Sequence, residues 1–518
     1  MLRSTVVFSA MTFLSRIAGY ARDSLQAYVF GTSAAVSAFV VAYRIPNYLR
    51  RIFAEGSFSS AFVPVLSELK QKGDDEALRD VLDHVAGALL AAVIVVTALG
   101  MLLAPWIARL FLLFADAGDD GIVAITADML RITFPYLVFI SMTALAGGVL
   151  NTFRHFGVPA LTPVLHNIAI IAAMLVLPRF LDMPEKALAW GVLAAGVLQM
   201  LVLWPTLARL GVRPRFRFNF GHEGVRRVRT LMLPTIFSSS VAQVNLLVGT
   251  MFASMLVVEA QAWLYYSDRL TELPLGLFGV AVGTVILPQL SRHFAGADEA
   301  GYSRSLDWGL RVVLLLGLPA ALGLALLAVP LTAALFGRGE FTAEDTRMVG
   351  YALTAMSLGI PTFMLSKVLL PAFYARQDTR KPMRAAVITV AVNVALTVAF
   401  VLPLDYLDVR AAHVGIAAAT ALAGVVNAAL LWRYLRRDGI YRPEPGWTPW
   451  LTRIAAGLAA MAAVVIPFEC WVRTTQGPWM TLPDLWRVAW VLLIIAAGAG
   501  AYGAVLLALG LRPRHLRH

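Results

Sequence analysis

The chain has 518 residues, of which 59% are apolar and only 14% charged, with a mean hydropathy of +0.74. Apolar runs of 18 or more residues recur from end to end, which marks a polytopic membrane protein and makes length a poor guide to a count of soluble domains. The formal charge of +12 lies mostly in short loops between those runs, where it sets topology; this argues against nucleic-acid binding.

In chain order, hydropathy predicts fourteen spans near 5–30, 33–67, 82–112, 123–150, 159–178, 187–208, 226–254, 259–291, 304–336, 346–374, 382–403, 411–435, 448–468 and 485–510. Arg3 followed by twelve apolar or small residues echoes a signal peptide, but no A-x-A-like site closes that run, so it reads as a retained first span. The second and eighth spans are overlong and broken by Pro46, Pro64, Pro274 and Pro288. Proline removes a backbone donor and kinks a helix, which is tolerated at membrane depth where the freed groups line a cavity. The lone Cys470 has no partner for an intramolecular disulfide and reads as a small packing residue.

Basic residues alternate between loops. The set holding the N-terminus, Lys70 to Arg79, Arg154, Arg209 to Arg229, Arg292, Arg304, Arg376 to Arg384, Arg433 to Arg442 and the C-terminal tail carries about 25 of them, against about 7 in the opposite loops. The first set, with both termini, is expected in the cytoplasm; loops with Asp116, Asp119 and Asp120 or Glu340, Glu344 and Asp345 are expected outside.

The chain also repeats itself. Pro64-Val65-Leu66-Ser67 recurs as Pro288-Gln289-Leu290-Ser291, an offset of 224. Pro105, Ala108, Leu110 and Phe111 recur as Pro330, Ala333, Leu335 and Phe336, and Phe134-Pro135 as Ile360-Pro361. A repeat unit of six spans keeps its orientation, the parallel plan of transporters that hold cargo between two lobes. The expected organisation is an all-α lobe at 1–225, a second six-helix lobe at 226–440, and two additional helices with a basic tail at 441–518.

Ten charged side chains fall inside the predicted spans: Arg16, Arg22 and Asp23; Arg44, Arg50, Arg51 and Glu55; Asp268, Arg269 and Glu272. Each costs about 2.5–3.5 kcal/mol at the bilayer centre, so the set persists only facing a polar cavity and one another. Their excess of positive charge suggests an anionic cargo. Helical spacing puts Arg16 within about 20° of Asp23, with Arg22 roughly 120° away. Arginine's planar fork grips a phosphate through two parallel hydrogen bonds and keeps its proton in the membrane. Phosphate or diphosphate binding by Arg16, Arg22, Arg50 or Arg51 and Arg269 is the functional reading. Interlobe salt bridges are the bland one, and snorkelling is a further account of Arg50 and Arg51. Gly279-x-x-x-Gly283 reads as helix packing, Gln243 and Asn245 as interhelical hydrogen-bond partners, and Lys367 as a cavity residue or a snorkelling one. His166 and His222 stand alone, and no metal-ligand spacing, P-loop, H-E-x-x-H or G-x-S-x-G occurs, so no metal, cofactor or catalytic residue is expected.

At these residues the chain resembles a known family. Ser15-Arg16-Ile17-Ala18-Gly19-Tyr20-Ala21-Arg22-Asp23 and Pro46-Asn47-Tyr48-Leu49-Arg50-Arg51-Ile52-Phe53-Ala54-Glu55-Gly56-Ser57-Phe58 look like the lipid II flippases (MurJ, also called MviN). Tyr266 to Leu270, Gly279 to Thr284 and Phe373 to Asp378 continue the match, as does Pro445-Gly446-Trp447. The resemblance implies fourteen helices within the superfamily of multidrug and polysaccharide exporters. It implies a cargo of undecaprenyl diphosphate bearing the peptidoglycan disaccharide-pentapeptide (lipid II), moved to the outer leaflet of the inner membrane for cell-wall synthesis and cell shape. Membrane lipids and other cell-wall synthesis proteins are the implied partners. Arg16, Arg22, Arg50 and Arg269 match the family's functional arginines, Asp23 and Glu55 its accompanying acids, and the extra helices its lipid-tail groove. Ser37 departs from relatives that carry aspartate there. Two rivals remain: an exporter of another lipid-linked oligosaccharide or of amphiphilic drugs, and a membrane glycosyl-transfer enzyme. The second would need catalytic carboxylates at one face, and the short outer loop at 469–484 lacks a plausible catalytic pair.

Overall fold

The computed structural model describes residues 2–50, 57–114 and 120–511, which are helical with no strand among them. By packing the chain forms two compact units, Met1–Ala262 and Trp263–His518.

Unit 1 runs α1 (Leu2–Phe30), α2 (Ala34–Arg50), α3 (Ser57–Lys72), α4 (Asp75–Leu102), α5 (Ala104–Phe111), α6 (Asp120–Thr133), α7 (Tyr136–Thr152), α8 (Gly157–Val176), α9 (Lys186–Arg209) and α10 (Glu223–Ala253). Unit 2 takes up most of α11 (Ala260–Pro274), then α12 (Val280–Ala295), α13 (Glu299–Leu326), α14 (Ala328–Leu335), α15 (Ala343–Ser357) and α16 (Ile360–Tyr374). It ends with α17 (Arg380–Tyr406), α18 (His413–Arg437), α19 (Trp447–Thr475) and α20 (Asp484–Ala508). Among the described residues nine segments are long and apolar enough to cross a membrane, and α15–α16, bent by 44°, makes a tenth if it is one span. Several stretches expected as single spans are therefore two helices, and proline accounts for the breaks. Pro105 and Pro361 open α5 and α16, Pro135 precedes α7, and Pro274 ends α11 before a π turn at Leu275–Gly279.

The two units share local features at positions paired by the sequence repeat. Asp74 caps α4 by accepting from Ala77 N at 2.9 Å, and Asp298 caps α13 by accepting from Gly301 N at 2.8 Å. The gap before each cap has a left-handed residue, Gly73 or Ala297, and the turns after α7 and α16 have Arg154 and Gln377 in the same conformation. Gly211 and Gly439 turn the chain after α9 and α18 with φ of 70° each, which glycine adopts without a Cβ clash.

The core of unit 1 joins α3, α4, α7 and α9 through Phe58, Phe62, Leu66, Leu82, Leu145 and Leu203. In unit 2 a second core joins α13 to α19 and α20 through Leu315, Trp450, Met461, Val491 and Ile494. Tyr502 on α20 donates to the carbonyl of Leu315 at 2.9 Å. Arg487, 4% exposed, donates to the carbonyls of Ala333 and Leu482 at 3.0 and 2.9 Å, satisfying the open end of α14. The final helix pair is thus packed into unit 2.

Candidate functional site

The predicted site residues divide between the units: Arg16, Arg22, Asp23 and Arg50 lie in unit 1, and Arg269 in unit 2. Arg51 and Glu55 lie outside the described residues.

Arg22 and Asp23 are 6% and 2% exposed, so a charged pair is buried in the wall of α1. The helical wheel set Arg22 away from the acid, but a wheel gives Cβ directions, and the long side chain folds back onto its neighbour. Its Nε and Nη2 donate to Asp23 Oδ1 at 2.9 and 2.6 Å. Nη1 donates to Asn167 Oδ1 of α8 at 3.1 Å. Asn167 is itself anchored, donating through Nδ2 to the carbonyls of Ser15 and Pro163, each at 3.1 Å. Such a fork, held by a carboxylate and an amide, is fixed in orientation, its rotamer entropy already lost. Asn167 was missed by sequence reasoning, since an asparagine in an apolar run 145 residues away carries no pairing signal.

Arg16, two turns earlier on α1, is exposed. Arg50 ends α2 and donates from Nε and Nη2 to Asn47 Oδ1 at 3.0 and 2.8 Å, a local contact. Arg44 bonds Thr250 Oγ1 and, at 3.1 Å, Gln261 Oε1, so it ties α2 to α10 and the start of α11. In unit 2, Arg269 pairs with Glu272 at 3.1 Å, donates from Nη2 to Tyr265 OH at 3.4 Å, and lies 5.1 Å from the Tyr265 ring centroid. Glu272 is exposed and Arg269 half-buried, so the pair holds the guanidinium loosely compared with Arg22.

Two lesser expectations are resolved within single units. A Cβ on Gly283 would stand 3.2 Å from the carbonyl oxygen of Lys367, so the glycine pair brings α12 onto α16, and Lys367 itself is exposed. The side chains of Gln243 and Asn245 lie outside the described ones.

His222 does not stand alone. It caps α10, and its ligand atoms lie within 4.8 Å of those of Asp80 and His84. The sequence hid this because His222 is brought to α4 only by the loop after α9. The cluster is built for hydrogen bonds rather than for a metal. His222 Nε2 contacts Asp80 Oδ2 at 2.8 Å, its Nδ1 accepts from Gly224 N at 3.2 Å, and His84 Nδ1 contacts the Asp80 carbonyl at 2.8 Å. The two imidazoles stack at 4.1 Å and 4°, whereas a shared metal would have to lie in both ring planes.

Sequence and structure comparisons agree on the relatives. The lipid II flippase MurJ family matches residues 26–488. A probable lipid II flippase MurJ of Vibrio cholerae serotype O1 is 40% identical, with 100% of this chain and 98% of the relative covered. The lipid II flippase MurJ of Burkholderia cenocepacia is 39% identical, with 100% and 99% covered. A solved lipid II flippase MurJ in an inward closed conformation superposes with a TM-score of 0.79 at 26% identity, covering 96% of this chain and 98% of that one. An inward-facing multidrug transporter of the MATE family shares the fold at a TM-score of 0.69, with 14% identity and 84% and 98% coverage. The chain belongs to the lipid II flippase MurJ family.

Proposed function

We propose that the protein is a flippase that carries lipid II from the inner to the outer leaflet of the cytoplasmic membrane by alternating access. The observation that carries this is an identity of about two residues in five along the whole chain with relatives named as lipid II flippases, 40% in the Vibrio cholerae protein. The buried Arg22–Asp23–Asn167 arrangement supports an anionic headgroup as the cargo's recognised part.

The finer reading is a fourteen-span protein whose lobes at 1–225 and 226–440 form a parallel repeat, with the helices in 441–518 as an appendage. Matching caps at Asp74 and Asp298 and matching turns at Gly211 and Gly439 support the repeat. Arg16, Arg22, Arg50 and Arg269, with Arg51, would converge on one diphosphate, because no single arginine neutralises two or more charges in a low-dielectric cavity. Asp23 and Glu55 would hold the arginines while cargo is absent. The polyprenyl tail would follow α19 and α20. Both termini would face the cytoplasm, and an inside-negative potential would favour outward movement of anionic cargo by about 2.3 kcal/mol per charge per 100 mV. Cell-wall synthesis proteins are the natural neighbours.

Complementation tests the reading. In cells depleted of their own lipid II flippase, this chain should restore growth and rod or coccal shape, and lipid II should cease to accumulate on the cytoplasmic side. Growth without relief of that accumulation would favour an exporter of another lipid-linked glycan.

A further inference from the structure

Each unit ties the segment that follows its last repeat helix to a buried aspartate. In unit 1, Asp83 on α4 accepts from the backbone N–H of Arg215 at 2.6 Å. In unit 2, Asp307 on α13 accepts from Tyr441 OH and Trp447 Nε1, each at 2.7 Å, and from Glu444 N at 3.2 Å. Burial, with the bond to Asp307, pushes the Tyr441 phenol above its ordinary range. One turn further along the helix the units differ. Unit 1 has Gly87, where a Cβ would stand 2.2 Å from the carbonyl oxygen of Arg217, so the segment lies directly on the helix. Unit 2 has Arg311. Its Nε bonds Asp307 Oδ2 at 2.8 Å and its Nη2 bonds the carbonyls of Glu444 and Pro445 at 3.3 and 3.1 Å, with the guanidinium 5.0 Å from the Trp447 ring. The linker at 438–446 is thus tied to α13 at three points: Arg442 exchanges backbone hydrogen bonds with Ser303 Oγ at 2.9 Å each, Glu444 N bonds Asp307, and Arg311 holds the carbonyls of Glu444 and Pro445.

A cavity of about 680 Å³ lies between the linker, α13, α16, α18 and the start of α19. That volume falls in the range of small-molecule sites. Its walls are mostly apolar, with Leu310 and Leu314 of α13, Leu369 of α16, and Val425, Ala429 and Trp432 of α18, although Thr362, Tyr441 and Thr448 also line it. The α18 residues recur at helical spacing, and the next position on that stripe is Arg436, in the last turn, its guanidinium 5.2 Å from the Trp432 ring. The one carboxylate in the lining is Glu444, whose backbone is fixed by Asp307 and Arg311. An apolar slot with aromatic rings at its edge and a cation at the aqueous end of one wall is complementary to an amphiphile with an anionic head.

We propose that this cavity holds one acyl chain of an anionic phospholipid, with its phosphate on Arg436. The site borders the start of α19, along which the cargo's tail is assigned above, but is otherwise walled by the linker, α13, α16 and α18. It rests on that reading only for its leaflet, which the proposed orientation makes the cytoplasmic one.

The test uses the purified full-length protein in detergent, titrated with phosphatidylglycerol or phosphatidylethanolamine of identical chains and read by native mass spectrometry. Wild type should retain phosphatidylglycerol roughly fivefold better, as expected for one basic contact. Arg436→Gln should abolish the preference while keeping binding. Ala429→Trp, on an exposed position, should fill the slot and release both lipids, with Leu314→Trp as the second filling variant and thermal melting as the check on folding. Equal retention by wild type and either filling variant would overturn the proposal. So would the absence of a headgroup preference in wild type, or displacement of phosphatidylglycerol by an equal concentration of polyprenyl phosphate, which would make the slot a cargo-tail site. Lipid II movement measured in parallel separates the two claims: lost flipping with intact lipid preference sinks the flippase assignment alone.

Discussion

Arg22→Lys is the most discriminating substitution in unit 1, because it keeps the charge and removes the fork. Among its contacts, the wild-type guanidinium donates two hydrogen bonds to Asp23 at 2.9 and 2.6 Å and one to Asn167 at 3.1 Å. A lysine ammonium still reaches the adjacent carboxylate, so the buried ion pair survives. The Asn167 bond is lost, and leaving that amide oxygen short of a donor costs about 1–3 kcal/mol. Against a total stability of about 5–15 kcal/mol the variant remains folded. Arg22→Ala is a poorer probe: stripping the guanidinium from a carboxylate only 2% exposed costs about 3–5 kcal/mol and confounds folding with function. If the fork grips the cargo's diphosphate, losing one charge-assisted contact of about 1.5–3 kcal/mol slows transport roughly 10- to 150-fold. The assay is the rate of lipid II movement in proteoliposomes, normalised to protein incorporated, alongside membrane abundance by immunoblot. Abundance near wild type with transport lowered tenfold or more is the expected result. Transport within twofold of wild type would refute bidentate recognition at this residue, and disappearance from the membrane would assign Arg22 to structure.

Other expectations follow from packing and topology. Gly283→Leu should separate α12 from α16, since even a Cβ would meet the Lys367 carbonyl at 3.2 Å, and should lower the melting temperature by an amount corresponding to about 1–3 kcal/mol; Gly283→Ala should cost less. Asp307→Ala removes the acceptor of Tyr441, Glu444 and Trp447, so limited proteolysis should cut the linker at 438–446 that wild type protects; equal protection would mean the hub does not hold it. In a Cys470→Ser background, single cysteines beside Arg213 or Arg380 should resist an impermeant reagent in intact cells, and one beside Arg473 should react; labelling at the Arg213 loop would overturn the orientation.

Much of the helical framework was legible because its main signal is local: long apolar runs fix where helices lie. Of the prolines expected to break spans, Pro274 ends α11, while Pro46, Pro64 and Pro288 lie inside helices. The breaks at Pro105, Pro135 and Pro361 were not anticipated. The buried charge of Arg22 was legible too, since its cost in an apolar run demands a partner. Which partner was not, because Asn167 and Arg22 meet only through the packing of α8 on α1. Arg44 gave the same signal as Arg22, and its partners Thr250 and Gln261 are neutral residues that no charge-pairing argument finds. His222 likewise joins Asp80 only through the loop after α9. The difference between Gly87 and Arg311 stands in the repeat itself, but its consequence depends on where each linker backbone runs.

The central claim is that this chain moves lipid II across a bilayer. Its most direct measurement places fluorescent or radiolabelled lipid II in one leaflet of liposomes containing the purified protein and follows its appearance in the other with a membrane-impermeant enzyme or quencher. Wild type should equilibrate or pump lipid II far faster than protein-free liposomes, Arg22→Lys should be slowed at least tenfold, and a neutral phospholipid reporter should stay in place. Lipid II confined to its starting leaflet at wild-type protein densities, or equal movement of the neutral phospholipid, would contradict the account.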